Sequence, residues 1–135
     1  FARRLGAPLA IADKVRTDHR ERARVIDVIG DVAGRDAVLV DDFTISGGTL
    51  VEAAEQLVAR GARSVMAAVT HGVFAAGSME RLEACPIRRL VTTDTVETQP
   101  VALSGKVRVV SVAPLFAEAI RRIHHRESIS GLFLD

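Results

Sequence analysis

Between Val38 and Thr49 the chain reads Val-Leu-Val-Asp-Asp-Phe-Thr-Ile-Ser-Gly-Gly-Thr, and this segment concentrates the residue types that do chemistry. Gly47 and Gly48 let backbone N–H groups approach a ligand closely, and Ser46 and Thr49 add hydroxyl donors. A helix beginning here would contribute partial positive charge from its N-terminus. Together these features predict a cradle for a phosphate. Asp41 and Asp42 cannot bind the same phosphate, but carboxylates accept hydrogen bonds from sugar hydroxyls and can hold Mg2+ directly or through water. The pairing points to a phosphorylated sugar. Two better-known phosphate loops are excluded by count: Leu50 follows Gly47-Gly48-Thr49, so there is no GxxxxGK[ST], and no GxGxxG follows any strand.

Other polar residues carry weaker signals. Lys14 and Arg16 lie in a stretch, Lys14 to Arg24, that is nearly all charged and lacks apolar periodicity; taken alone it reads as a solvated, mobile loop. His71 follows an apolar run and is read as a hydrogen-bonded strand-end histidine as readily as a ligand contact, and Asp94 is equally unassigned. His124-His125 suits the C-terminal dipole of a helix, and two adjacent histidines do not share a face for chelation. Cys85 reads as a small hydrophobe.

The elements needed to position these residues follow from periodicity. Pro8–Asp13 and Val25–Ile29 read as strands, and Ala37–Val40, followed by the two acids, is the clearest buried strand. From Thr49 the period changes: Leu50, Ala53, Ala54, Leu57 and Val58 share one helical face, and Gly61 supplies the stop. Ser64–Val69 is a strand and Ser78–Ala84 a short helix. Arg88–Val91 and Val107–Val110 are strands, and Pro114 opens a last helix bearing Phe116, Ala119, Ile120 and Ile123. The alternation predicts an α/β domain with a largely parallel sheet flanked by helices, its ligands beyond the carboxyl ends of the strands.

Composition sets the outer bounds. A chain of 135 residues, 48% hydrophobic and 26% charged, reads as one packed domain over 1–135 and excludes a disordered tail. With five Phe and no Trp or Tyr, the core must be aliphatic. The balance of 18 basic against 17 acidic residues gives no basic footprint for nucleic acid and no membrane-binding segment. One cysteine and no apolar leader fit a cytoplasmic protein. Phe1-Ala2-Arg3-Arg4-Leu5 reads as mid-helix, which leads us to expect a piece of something longer.

The segment from Val38 to Thr49 resembles the phosphoribosyl diphosphate binding motif of type I phosphoribosyltransferase folds. Further segments make the chain similar to the ribose-phosphate diphosphokinase family: Ala12-Asp13-Lys14-Val15-Arg16, Ile29 to Gly34, Thr70-His71-Gly72-Val73-Phe74, Thr93-Asp94-Thr95, and the tail from Arg121 through Phe133. The resemblance spans essentially the whole chain. It implies the C-terminal, ribose 5-phosphate binding half of a two-domain enzyme, with most of the nucleotide site in the absent N-terminal half and a fragment inactive alone. The implied reaction moves the diphosphoryl group of Mg-ATP to the 1-hydroxyl of ribose 5-phosphate, with Mg2+ as cofactor.

By the same resemblance, Asp41 and Asp42 hold the ribose hydroxyls, with magnesium nearby and no certain ligand within the fragment. Ile45, Ser46, Gly47, Gly48 and Thr49 form the 5-phosphate loop, and Lys14 and Arg16 are the catalytic cations of a loop that closes over the phosphates. Dimers building hexamers are implied for the whole protein. Two alternatives are a plain phosphoribosyltransferase and a non-catalytic regulatory homologue binding phosphoribosyl ligands. The chain departs from the family at Ile45-Ser46, where an acid-Thr pair is common, and at Val15, where a base is common. The Ser-Gly-Gly-Thr loop resembles the class II branch, whereas the serine-containing tail resembles part of a class I regulatory site, so regulation stays open.

Overall fold

A computed structural model describes residues 1–16, 23–97 and 104–133, the side chains of 13–16 and 23–26 excepted. A four-residue helix α1 (Ala2–Leu5) precedes strands β1 (Ile11–Arg16), β2 (Ala23–Ile29) and β3 (Asp36–Thr44). Helix α2 (Gly48–Ala59), β4 (Ser64–Gly72), α3 (Ser78–Ala84), β5 (Ile87–Thr93), β6 (Val107–Val110) and α4 (Ala113–His124) follow, and a 3-10 turn (Ser130–Leu132) comes last. Strands β3 to β6 form one parallel sheet in chain order, β3-β4-β5-β6. The predicted α/β architecture with a parallel sheet and flanking helices is therefore present.

The core is aliphatic, as composition requires. Val65, Ala67 and Val69 of β4 with Ile87 and Leu90 of β5 present one face to Leu50, Ala54 and Leu57 of α2 and to Met79 and Leu82 of α3. Alternate strand residues point to opposite faces, so Met66 is exposed while its neighbours Val65 and Ala67 are buried. Of the five phenylalanines only Phe74 is buried, at 1% exposure. At the base of the sheet Arg63 and Ser64 both bond Asp36, which aligns the first residues of β3 and β4. These donors, Arg63 foremost, hold the Asp36 carboxyl well below the usual carboxylate range.

Three expectations need correction. The charged stretch is not a loop from Lys14 onward: β1 runs to Arg16 and pairs antiparallel with β2, with Lys14 opposite Val25 and Arg16 opposite Ala23. A two-stranded ladder is made by backbone groups, so it tolerates charged side chains that hydrophobic periodicity reads as loop. Second, β3 is not a buried strand: Val38 and Val40 are 50% and 46% exposed, because β3 is an edge strand and the helices cover only one of its faces. Third, β3 and β4 run further than predicted, to Thr44 and Gly72, so Asp41, Asp42 and His71 lie within strands rather than beyond them. Helix α4 has no buried residue, and Phe116, Ile120 and Ile123 of its apolar stripe are exposed. No helix among the described residues is long and apolar enough to cross a membrane.

Candidate functional site

The site is built where β3 gives way to α2, at the carboxyl edge of the parallel sheet. Three consecutive carbonyls of this turn accept hydrogen bonds from the next strand-to-helix connection. Val73 N–H donates to the Thr44 carbonyl at 3.0 Å, Ala75 N–H to the Ile45 carbonyl at 2.8 Å, and Arg81 Nη1 to the Ser46 carbonyl at 3.1 Å. In a trans peptide the C=O and the following N–H point in opposite directions. The amides of Ile45, Ser46 and Gly47 are thereby turned away from the supporting segment; Ile45 and Ser46 are exposed and Gly47 is buried. Among the described residues these three donate to no backbone carbonyl.

Gly47 completes the turn as the N-cap of α2 with φ 75°, a left-handed conformation that disfavours any side chain. Helix α2 has no side-chain cap and no acid in its first turn, so its N-terminal partial charge is uncompensated by the helix itself. Ser46 Oγ reaches the Gly48 amide only at 3.4 Å, and Thr49 is half-buried in the first helical turn. The predicted loop residues Ile45, Ser46, Gly47, Gly48 and Thr49 are thus brought together around one helix start.

The acids are arranged differently from a chelating pair. As neighbours on β3 they point to opposite faces of the sheet: Asp41 is half-buried on the side of Ala37 and Leu39, and Asp42 is exposed on the side of Val38 and Val40. A cleft of about 200 Å³ opens beside the strand, lined by Ala10, Ala12, Val38 to Asp41, Thr49, Leu50 and Ala53, so Asp41 and Thr49 share it. Asp42 Oδ1 accepts from Phe43 N–H at 2.9 Å. Among the described residues no group of three or more His, Cys, Asp or Glu side chains is placed to hold a metal ion.

Lys14 and Arg16 lie on β1, and their side chains are outside the described ones. The hairpin that carries them is rooted on α2: Val28 is buried in the core, Arg60 Nη1 donates to the Val28 carbonyl at 2.7 Å, and Arg60 also pairs with Asp27. His71 Nδ1 and Thr95 Oγ1 are 2.7 Å apart, within a cluster where Thr93 Oγ1 donates to the Thr70 carbonyl. Asp94 accepts from Val112 N–H at 2.8 Å at the entrance of α4, and the Ser111 hydroxyl followed by that amide keeps its carboxyl below the usual range. Cys85 is buried, with Sγ 3.2 Å from the Leu82 carbonyl.

Sequence reasoning missed the support beneath the loop. Two of its three donors are backbone amides, which have no residue signature. The one legible trace is Gly72: a Cβ there would lie 2.5 Å from the Phe74 ring, so the glycine lets the buried Phe74, itself at φ 50°, tuck under the turn.

A family model described as the phosphoribosyl synthetase-associated domain matches residues 7–134. Ribose-phosphate pyrophosphokinase of Caldanaerobacter subterraneus subsp. tengcongensis is 50% identical over 98% of this chain and 42% of its own length. The Agrobacterium fabrum enzyme of the same name is 47% identical over 98% of this chain and 43% of its own. The crystal structure of phosphoribosylpyrophosphate synthetase from Mycobacterium smegmatis superposes with a TM-score of 0.80 at 35% identity, covering 93% of this chain and 40% of that one. The chain therefore spans about two-fifths of the length of the curated relatives it matches. With a parallel sheet of the same fold and a family match from residue 7 to residue 134, the chain belongs to the phosphoribosyl synthetase-associated domain family, that of the ribose-phosphate pyrophosphokinases.

Proposed function

We propose that this chain is the ribose 5-phosphate binding, C-terminal domain of a cytoplasmic ribose-phosphate pyrophosphokinase. In that reaction the 1-hydroxyl of ribose 5-phosphate attacks the β-phosphorus of ATP, the bond from that phosphorus to the α–β bridging oxygen breaks, and AMP leaves. The observation that carries the reading is the carbonyl-anchored turn at Thr44, Ile45 and Ser46, which directs three successive amides and the start of α2 to one side. A dianionic 5-phosphate is the substrate group that such a donor set complements.

Each residue then has a role set by its chemistry. Ile45, Ser46, Gly47, Gly48 and Thr49 hold the phosphate, the first four through amides and Ser46 and Thr49 also through hydroxyls. Asp41, which lines the cleft with Thr49, accepts from the ribose hydroxyls, and Asp42 is the second acid of the proposed ribose site, exposed on the opposite face of β3. Lys14 and Arg16 act on the transferred group as charge develops there, where preorganised cations are most effective. Asp41 is the carboxylate of this cleft that would hold Mg2+, directly or through water, and the ion would supply neutralisation of phosphate charge. The nucleotide site and a homo-oligomer of dimers or hexamers belong to the same proposal for the whole protein.

The test is an assay of the intact gene product for AMP release from ATP and ribose 5-phosphate. Release dependent on both substrates supports the reading. Consumption of phosphoribosyl diphosphate with a nucleobase and no AMP release would instead identify a plain phosphoribosyltransferase, and phosphoribosyl binding with neither activity a regulatory homologue. In the active protein, Lys14→Ala and Arg16→Ala should lower turnover by at least about tenfold, because groups that act on the transferred phosphoryl are felt most in the transition state. Unchanged turnover in both would remove them from catalysis.

A further inference from the structure

Arg81 reaches the phosphate turn from a separate element of the fold. It lies on α3, outside every segment that composition or periodicity marked as chemical, yet its Nη1 donates at 3.1 Å to the Ser46 carbonyl, 35 residues away in sequence. No carboxylate pairs with it among the described residues, in contrast to Arg35, Arg60, Arg63, Arg121 and Arg122, each of which has an acidic partner. An exposed arginine ordinarily finds an acid or water. This one is spent on a neutral carbonyl in the middle of the phosphate turn.

The consequence follows from peptide geometry. The carbonyl of Ser46 and the amide of Gly47 belong to one trans peptide, so a donor fixing the first fixes the direction of the second. Val73 and Ala75 do the same for the two preceding peptides, but their donors are backbone groups present in any sequence. Only the third peptide, the one that feeds the left-handed Gly47, depends on a side chain. The anchor for that side chain is itself held. Leu82, the next residue, is buried beneath Gly47 with its Cγ 4.0 Å from where a Cβ would stand. Lys106 Nζ donates to the Leu82, Glu83 and Cys85 carbonyls at 2.9, 2.8 and 3.0 Å, which fastens the end of α3.

We propose that Arg81 is a positioning residue for the phosphate cradle: by holding the Ser46 carbonyl it aims the Gly47 amide at the 5-phosphate, and it thereby sets affinity for the sugar phosphate without taking part in the chemical step. The proposal rests on the ribose 5-phosphate reading above. A group that shapes the loop equally in ground and transition states changes KM and leaves turnover at saturation alone.

The experiment uses the intact gene product and three forms: native, Arg81→Met, which removes the donor, and Arg81→Gln, which keeps an N–H donor but removes the charge. Binding of ribose 5-phosphate is measured by calorimetry, KM and kcat by AMP release, and the melting temperature of each form is recorded. The Met variant should bind ribose 5-phosphate about tenfold more weakly, the size of effect expected for one lost charge-assisted hydrogen bond, with kcat within about twofold of native. The Gln variant should recover to within about threefold of native binding.

Unchanged binding in the Met variant overturns the proposal. Equal weakening in Met and Gln also overturns it, because the charge rather than the carbonyl bond would then be responsible. A matching fall in kcat would move Arg81 into the chemical step, against the proposal. Should the Met variant be too unstable to assay, Arg81→Gln decides alone: binding within about threefold supports the role and a tenfold loss overturns it. A native protein that fails to bind ribose 5-phosphate overturns the functional reading itself, an outcome separate from any difference among the variants.

Discussion

The β3–α2 turn and the β4–α3 turn sit side by side on one sheet, and each enters its helix through a left-handed glycine, Gly47 at φ 75° and Gly77 at φ 79°. Neither helix has a side-chain cap. They differ in which half of each peptide is used. In the β4–α3 turn the amides of Val73, Ala75 and Ser78 are spent on the carbonyls of Thr44, Ile45 and Ala75, and Glu80 occupies the first turn of α3. In the β3–α2 turn the carbonyls are spent and the amides point away from the neighbouring turn, with no acid in the first helical turn. A glycine and a helix start are common to both, so neither makes the cradle. The cradle arises because one turn donates to the back of the other.

Gly72→Ala should break this alliance most severely. The added Cβ would lie 2.5 to 2.6 Å from the Phe74 ring and 2.8 Å from Thr92 Oγ1, and Phe74 is too buried to move aside. Urea unfolding should show a loss of about 3 kcal/mol, at the upper end of overpacking costs. A loss below about 0.5 kcal/mol would mean the segment yields easily and cannot be the rigid back of the loop. Lys106→Met comes next. It frees three carbonyls at the end of α3, and unfolding should lose about 2 kcal/mol, as for hydrogen bonds to a charged donor.

The paired variants Gly47→Ala and Gly77→Ala sharpen the comparison. No atom stands nearer than 4.0 Å to a Cβ at either site, so both should cost the left-handed penalty of about 1 to 2 kcal/mol. Their stability losses should match, whereas ribose 5-phosphate binding should fall only in Gly47→Ala. Equal loss of binding in both would abolish the distinction between the two turns.

The smallest effect concerns a third region, the end of α4, which depends on charge instead of peptide bonds. Arg121 and then Arg122 hold the Glu118 carboxyl down to about 2. A carboxyl with a depressed folded pKa contributes stability that is present above its ordinary value of 4.5 and is lost as pH falls through about 2. Arg121 is exposed and Glu118 and Arg122 are only half-buried, so solvent screening keeps the contribution small. An NMR titration should place the Glu118 midpoint near 2, and a midpoint near 4.5 would show that the pairs do not form in solution. The carbonyl bonds of the two turns have no carboxylate member and should not follow that titration.

Much of the fold was legible because its signals are local. The period of Leu50, Ala53, Ala54 and Leu57 announced α2, and the aliphatic runs at Val65 and Val107 announced strands. What was not legible depends on distant partners. Lys14 and Arg16 are in a strand because of what lies opposite them, and Val38 and Val40 are exposed because of what does not cover them. The loop residues from Ile45 to Thr49 could be picked out by type, but the orientation of their amides is set by Val73, Ala75 and Arg81, none of which has a distinctive residue type or spacing relative to the loop. The opposite facing of Asp41 and Asp42 likewise required knowing that β3 continues to Thr44.

The three anchored carbonyls also bear on the order of folding. Each anchor joins residues separated by the whole of α2 and β4, so the chain must close that crossover and pair β4 with β3 before the first amide is aimed. The cradle is thus a product of long-range closure: a peptide cut from Asp41 to Glu52 would hold every residue of the loop and none of its preorganisation.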